Sequence, residues 1–191
     1  MESLRPPYIF SYVVDHDYGY TPNPYGDVLA IVGCKYKHGP NGRNNIQELA
    51  ELNDWVIGTG GLSAESCGNG KLLYAMRVTK ILKFNDYWTS EELAVKRSIH
   101  RGHTNRWPTE WYNKNIQVLL STEFVYFGKQ AINIPSALLA IQKKGQGFKR
   151  IGANLYDSTI DWLEELILTG GGMRGDPCVA LPPDTSELFQ L

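Results

Sequence analysis

The sequence predicts an α+β domain in which a small, strongly bent sheet or β-barrel carries flanking helices. Short runs rich in Val, Ile, Tyr and Phe recur between clusters of turn residues, which is how strands read in a sequence. The helical segments do not alternate regularly with these runs, so a doubly wound parallel fold is not expected. At 191 residues with 42% hydrophobic content, one domain can bury a sizeable core. Residues 1–191 are therefore expected to form a single domain, with a core of about 8–170 and a tail of about 171–191.

Taken in order, Tyr8–Val14 and Val28–Tyr36 read as strands, and Gly39–Asn45 as a loop by composition. Ile46–Leu52 has room for one or two helical turns. Trp55–Thr59 reads as a strand ending at glycine, and Leu72–Phe84 as the longest strand, its alternation suggesting one face more buried than the other. Thr89 and Glu92 have the spacing of a capping box, which predicts a helix over Ser90–Ile99. Ile116–Leu120 and Phe124–Phe127 are further strands broken by Ser121-Thr122-Glu123. Pro135 suits the first turn of a short helix at Ser136–Ile141. A last helix is expected over Ser158–Leu168, ending at Gly170. Beyond Pro177 the chain is expected to be loosely attached.

Composition narrows the function classes. A net charge of −1 rules out a uniformly basic surface, so nucleic-acid contact would need a local patch. No stretch approaches the roughly 20 apolar residues of a membrane span, and Leu4-Arg5-Pro6-Pro7 interrupts any early apolar run, so a cytoplasmic protein with no membrane contact is expected. Cys34, Cys67 and Cys178 are odd in number and lack zinc-site spacing. Reduced thiols, no metal and no cofactor are expected.

Four segments carry a resemblance when taken together in this order: "YVVDHDYGYTPNPYGD" (Tyr12–Asp27), "NDWVIGTGG", "KLLYAMRVTKILKFNDYW" and "STEFVYFG". The set resembles the nucleotide modification associated domain 2 family, over roughly residues 8 to 150. That resemblance implies a setting in phage or bacterial systems that hypermodify DNA bases, with components of such a pathway as partners. The segments Asp54-Trp55-Val56-Ile57 and Val78-Thr79-Lys80-Ile81 look, more distantly, like the PUA-like group with its EVE and YTH domains. This second likeness implies a flipped or modified base held in an aromatic-lined pocket.

The candidate site residues follow. Asp15, His16 and Asp17 end the first strand; they are either turn-forming residues or acid–base groups, His16 being oriented by a carboxylate. The rigid loop around Pro22-Asn23-Pro24 could present Tyr18 or Asn23 to a planar ligand, or simply make a turn. Gly58-Thr59-Gly60-Gly61 lacks a Walker lysine and lets a ligand approach beside Trp55, or serves as a plain turn. Tyr87, Trp88 and Trp107 lie at element ends where stacking on a base is reasonable. Lys96, Arg97, Arg101 and Arg106 form a basic stretch with no acidic residue between Glu92 and Glu110, and the three arginines are the expected phosphate contacts. His100 and His103 add donors there.

No GxSxG, HExxH or PCxxC signature occurs. The reading that results is a module binding a nucleotide or nucleic acid through its base. The alternative is a base- or nucleotide-modifying enzyme using His16 with Asp15 or Asp17. A third reading is a structural partner in a larger complex.

Overall fold

The computed structural model describes residues 5–32, 45–96, 116–145 and 147–179. The fold is α+β. A six-stranded mixed sheet is built from β1 (Ile9–Val14), β3 (Trp55–Gly60), β4 (Leu72–Arg77), β7 (Glu123–Tyr126), β8 (Phe148–Arg150) and β9 (Gly172–Met173), in the order β8-β1-β3-β4-β7-β9. A three-stranded sheet holds β2 (Leu29–Ile31), β6 (Gln117–Ser121) and β5 (Lys80–Lys83), with β6 central.

Two antiparallel ribbons join these sheets end to end. β4 pairs with β7 through Arg77↔Glu123, and β5 pairs with β6 through Lys80↔Leu120. Both chains break at the same level, at Val78-Thr79 and at Thr122, so one long ribbon folds over from the first sheet into the second. Ser121, fully buried, holds the corner: its hydroxyl lies 2.6 Å from the Arg77 carbonyl oxygen and accepts from the Glu123 amide at 2.9 Å. The Ser-Thr-Glu interruption read in the sequence is this corner. Of the two expected forms, the bent sheet is observed; the sheets do not close into a barrel.

β1 and β3 run parallel, Ile9 opposite Trp55 and Val14 opposite Gly60. Every residue of both strands is buried, because the centre of the large sheet is covered on both faces. β4 is buried on both faces as well up to Arg77, against the one-sided burial its alternation suggested. On one face Phe10, Tyr12, Val56 and Met76 pack with Leu29, Ile31 and Leu119 of the smaller sheet. On the other, Ile9, Trp55, Ile57 and Val125 meet Leu163 of the long helix α3 (Ala153–Gly170). Its inward stripe runs Leu155, Thr159, Leu163, Leu166 and Ile167 at helical spacing.

Several helix boundaries differ from the sequence reading. α1 is Ile46–Leu49, capped by the Asn45 side chain on the Glu48 amide. α2 is Phe84–Thr89, and Thr89 closes it by donating to the Asn85 carbonyl oxygen at 2.9 Å. Thr89 is thus spent inside the preceding helix rather than opening a new one. Residues 94–96 are helical, and the remainder of the expected helix lies outside the described residues. The turn after Pro135 is a 3-10 helix, Ser136–Ile141, as positioned in the sequence. α3 begins five residues before Ser158, at Ala153, since the half-buried Leu155 and Tyr156 add to its packed face.

The cysteine expectation is corrected. Cys67 and Cys178 are joined as a disulfide, with Cα atoms 5.4 Å apart and 111 residues of separation. Cys34 lies outside the described residues. Residues 171–179, assigned to the tail from sequence, are docked: β9 pairs with β7, and the Val179 amide donates to the Asp17 carbonyl oxygen at 2.9 Å. Among the described residues no helix is long and apolar enough to cross a membrane.

Candidate functional site

A cleft of about 560 Å³ opens where the parallel strands β1 and β3 end. Asp15 follows β1 into it, Gly60 and Gly61 end β3 beside it, and Gln142, Lys143 and Lys144 form the facing wall after the 3-10 helix. Adjacent parallel strands whose chains depart in different directions leave a crevice at their carboxyl ends, the usual place for a ligand in open sheets. Gln142 braces the wall by donating from Nε2 to the Gly70 carbonyl oxygen at 2.7 Å.

The glycines are explained by close backbone approach. A Cβ on Gly60 would lie 2.0 Å from the Gly68 carbonyl oxygen, and one on Gly61 would lie 2.1 Å from Oδ1 of Asp15. Gly58 is filled from behind by the Tyr74 ring. The turn therefore admits the loop 66–70 and the Asp15 carboxylate. The Gly60 and Gly61 amides already donate to Lys71 O, Val14 O and the Ser66 hydroxyl, so they do not form an anion nest.

The cleft is electrostatically two-sided. Asp15 is exposed on one side, while Lys143 and Lys144 are on the other. Lys149 stands nearby, donating to the Ala140 carbonyl oxygen. Partial burial, and then the charge of Lys143, lower its tendency to hold a proton. Among the described residues none of these lysines makes an ion pair. Like charges gathered with no ion-pair partner among the described residues favour an anion between them.

Of the other expected site residues, few meet here. His16 is exposed and bonds through Nδ1 to Glu65 at 2.5 Å. Its ring stacks on Tyr18 with centroids 6.4 Å apart. Hydrogen bonds from Tyr18 and His16 hold the Glu65 carboxyl below its ordinary value. Asp17 turns inward: it is 1% exposed and accepts from the Tyr126 hydroxyl at 2.7 Å and from the Cys178 amide at 3.1 Å. Burial raises the Asp17 carboxyl despite these bonds, and raises the Tyr126 phenol too. The three side chains of Asp15-His16-Asp17 thus diverge, and the acid–base trio considered from sequence does not converge.

Asn23 is fully buried. Its backbone bridges to Ala30, at 2.8 and 3.0 Å, and its side-chain oxygen accepts from the Tyr25 amide. Lys96, expected in the exposed basic stretch, is 1% exposed instead. Its ammonium donates to the carbonyl oxygens of Asn23, Tyr25 and Val28, tying the Pro-Asn-Pro loop to the helical residues 94–96. Burial lowers its pKa to about 7, and the carbonyl cage works against that by favouring the charged form.

Trp55 is 3% exposed between the sheet and α3, Thr59 donates to the Tyr12 carbonyl oxygen, and Tyr87 is fully buried. Trp88 lies half-buried on Phe84, ring centroids 5.8 Å apart. An aromatic base pocket around Trp55 and Tyr87 is therefore corrected: large apolar rings at strand and helix ends are drawn into the core. Arg97, Arg101, Arg106, Trp107, His100 and His103 lie outside the described residues.

Of the residues singled out in the sequence, Asp15 and Gly60 line this cleft, and the lysine wall was not among them. The available signal was "QKKGQG", a lysine pair between a glutamine and glycines, which on its own reads as a solvated loop.

This fold and cleft define a small α+β domain with a ligand-sized crevice at the ends of two parallel strands. The chain belongs to the nucleotide modification associated domain 2 family, whose model matches residues 6–111 and 98–181. No curated protein and no solved structure matches it.

Proposed function

We propose that the protein is a nucleotide- or nucleic-acid-binding domain of a base-modification system, and that its ligand lies in the cleft between Asp15 and the Lys143–Lys144 wall. One observation supports this above the others: two lysines with no acidic partner among the described residues line the crevice with an exposed carboxylate, at the ends of two parallel strands. The lysines would take a phosphate, and Asp15 would accept from an amino or hydroxyl group of the base or sugar. Membership of the nucleotide modification associated domain 2 family supports the nucleotide setting. Base contacts by Tyr18, Trp88 or Trp107, and phosphate contacts by Arg97, Arg101 and Arg106, belong to the same proposal on sequence grounds alone.

The test is fluorescence anisotropy with a labelled single-stranded oligonucleotide, paired with calorimetry on nucleoside monophosphates. Replacing both Lys143 and Lys144 by Ala should weaken binding about tenfold, near 1.4 kcal/mol, and reduce the dependence of affinity on salt. Unchanged affinity in the double variant, or no binding of either ligand by the wild type, would remove this reading.

A further inference from the structure

On the far side of the Asp-His-Asp run, three donors converge that the cleft does not use. The sulfurs of Cys67 and Cys178 and a carboxylate oxygen of Asp17 all lie within 4.8 Å of one another. They come from three separate segments: the end of the β1 run, the turn before β4, and the segment after β9. Asp17 is 1% exposed, and among the described residues no lysine, arginine or histidine pairs with it. A carboxylate so placed lacks the counter-charge that buried charges require. The Tyr126 hydroxyl and the Cys178 amide fix its orientation, as outer-shell groups do for metal ligands.

We propose that the reduced protein binds one thiophilic divalent cation, Zn2+ or an ion of similar softness, through Cys67, Cys178 and Asp17. Two thiolates select such a cation over Mg2+ or Ca2+, and three protein ligands leave a fourth tetrahedral position for water. Around zinc the sulfurs stand roughly 3.8 Å apart, given bonds of about 2.3 Å. The metal and the disulfide are therefore mutually exclusive states of one pair. Passage between them balances simply. Two equivalents of an external thiol supply two electrons and two protons to the Cys67–Cys178 bond and leave as their own disulfide. The cation then displaces the two thiol protons. Either state ties the C-terminal segment to the loop 61–71, which forms part of the cleft.

Cobalt is the probe. Wild-type protein reduced anaerobically and stripped with a chelator is titrated with Co2+ and then with Zn2+. The expected result is one equivalent of Co2+ with an intense thiolate-to-cobalt charge-transfer band, displaced by Zn2+ and absent from the air-oxidised wild type. Cys67→Ser and Cys178→Ser should each abolish the band, and Asp17→Asn should weaken cobalt binding about tenfold. A reduced wild type without the band overturns the proposal, as does a band that survives Cys67→Ser. The oxidised and reduced wild types are the same chain, so the central comparison does not depend on any variant folding.

Discussion

Asp15 and Asp17 stand two residues apart and end in opposite surroundings. Strand geometry would point both to one face, but β1 stops at Val14 and the register is lost. Asp15 faces water and a lysine wall. Asp17 turns under β7 and meets Tyr126, the Cys178 amide and the disulfide. The difference teaches that one residue type does two jobs here: Asp15 is placed where a ligand can reach it, and Asp17 where the chain needs a hub.

The largest test of this contrast is a pair of alanine variants. Asp17→Ala leaves a buried phenol and a half-buried amide without their acceptor and should lower unfolding stability by about 3 kcal/mol. Asp15→Ala should change it by less than about 0.5 kcal/mol while weakening ligand binding. Denaturant unfolding reads both, and equal losses would erase the distinction.

A second test uses pH. Burial raises the folded Asp17 carboxyl above its ordinary value of 3.8, so between the two values the native state holds the proton more tightly than the unfolded chain. Relative to Asp17→Asn, wild-type stability should fall as pH climbs through that window, by at most about 1.4 kcal/mol per pH unit, and level off above it. A rise there would mean that hydrogen bonding to the carboxylate outweighs burial.

On the cleft side, Gly61→Ala brings a methyl group against the Asp15 carboxylate. A stability loss near 1 kcal/mol should accompany a clear loss of ligand affinity, because the displaced carboxylate is the flexible partner. Smallest of all, His16→Ala removes an exposed pair with Glu65 and should leave the denaturation midpoint essentially unchanged. A larger effect on ligand binding than that of Asp15→Ala would return His16 to the site.

The elements legible in the sequence were those written in local chemistry. The Val- and Tyr-rich run of β1, the Ser121-Thr122 corner and the turn after Pro135 all stand where the pattern puts them. The long helix was legible in existence but not in its start, because Leu155 and Tyr156 join its packed face only against the sheet. β8 and β9 were missed, being three and two residues long, too short for any periodicity to register. Trp55 was expected beside a ligand, and packing against α3 draws it into the core instead.

The sequence by itself determined the α+β class, one breakpoint of the bent ribbon (Ser121-Thr122-Glu123) and the family. Each depends on neighbours along the chain or on an ordered set of motifs. Tertiary structure alone decided which of Asp15, His16 and Asp17 meets solvent, which lysines face the cleft, and that Cys67 finds Cys178 across 111 residues. The physical reason is the same in each case: where a side chain points after a strand ends, and what lies opposite it, are set by segments far away in sequence.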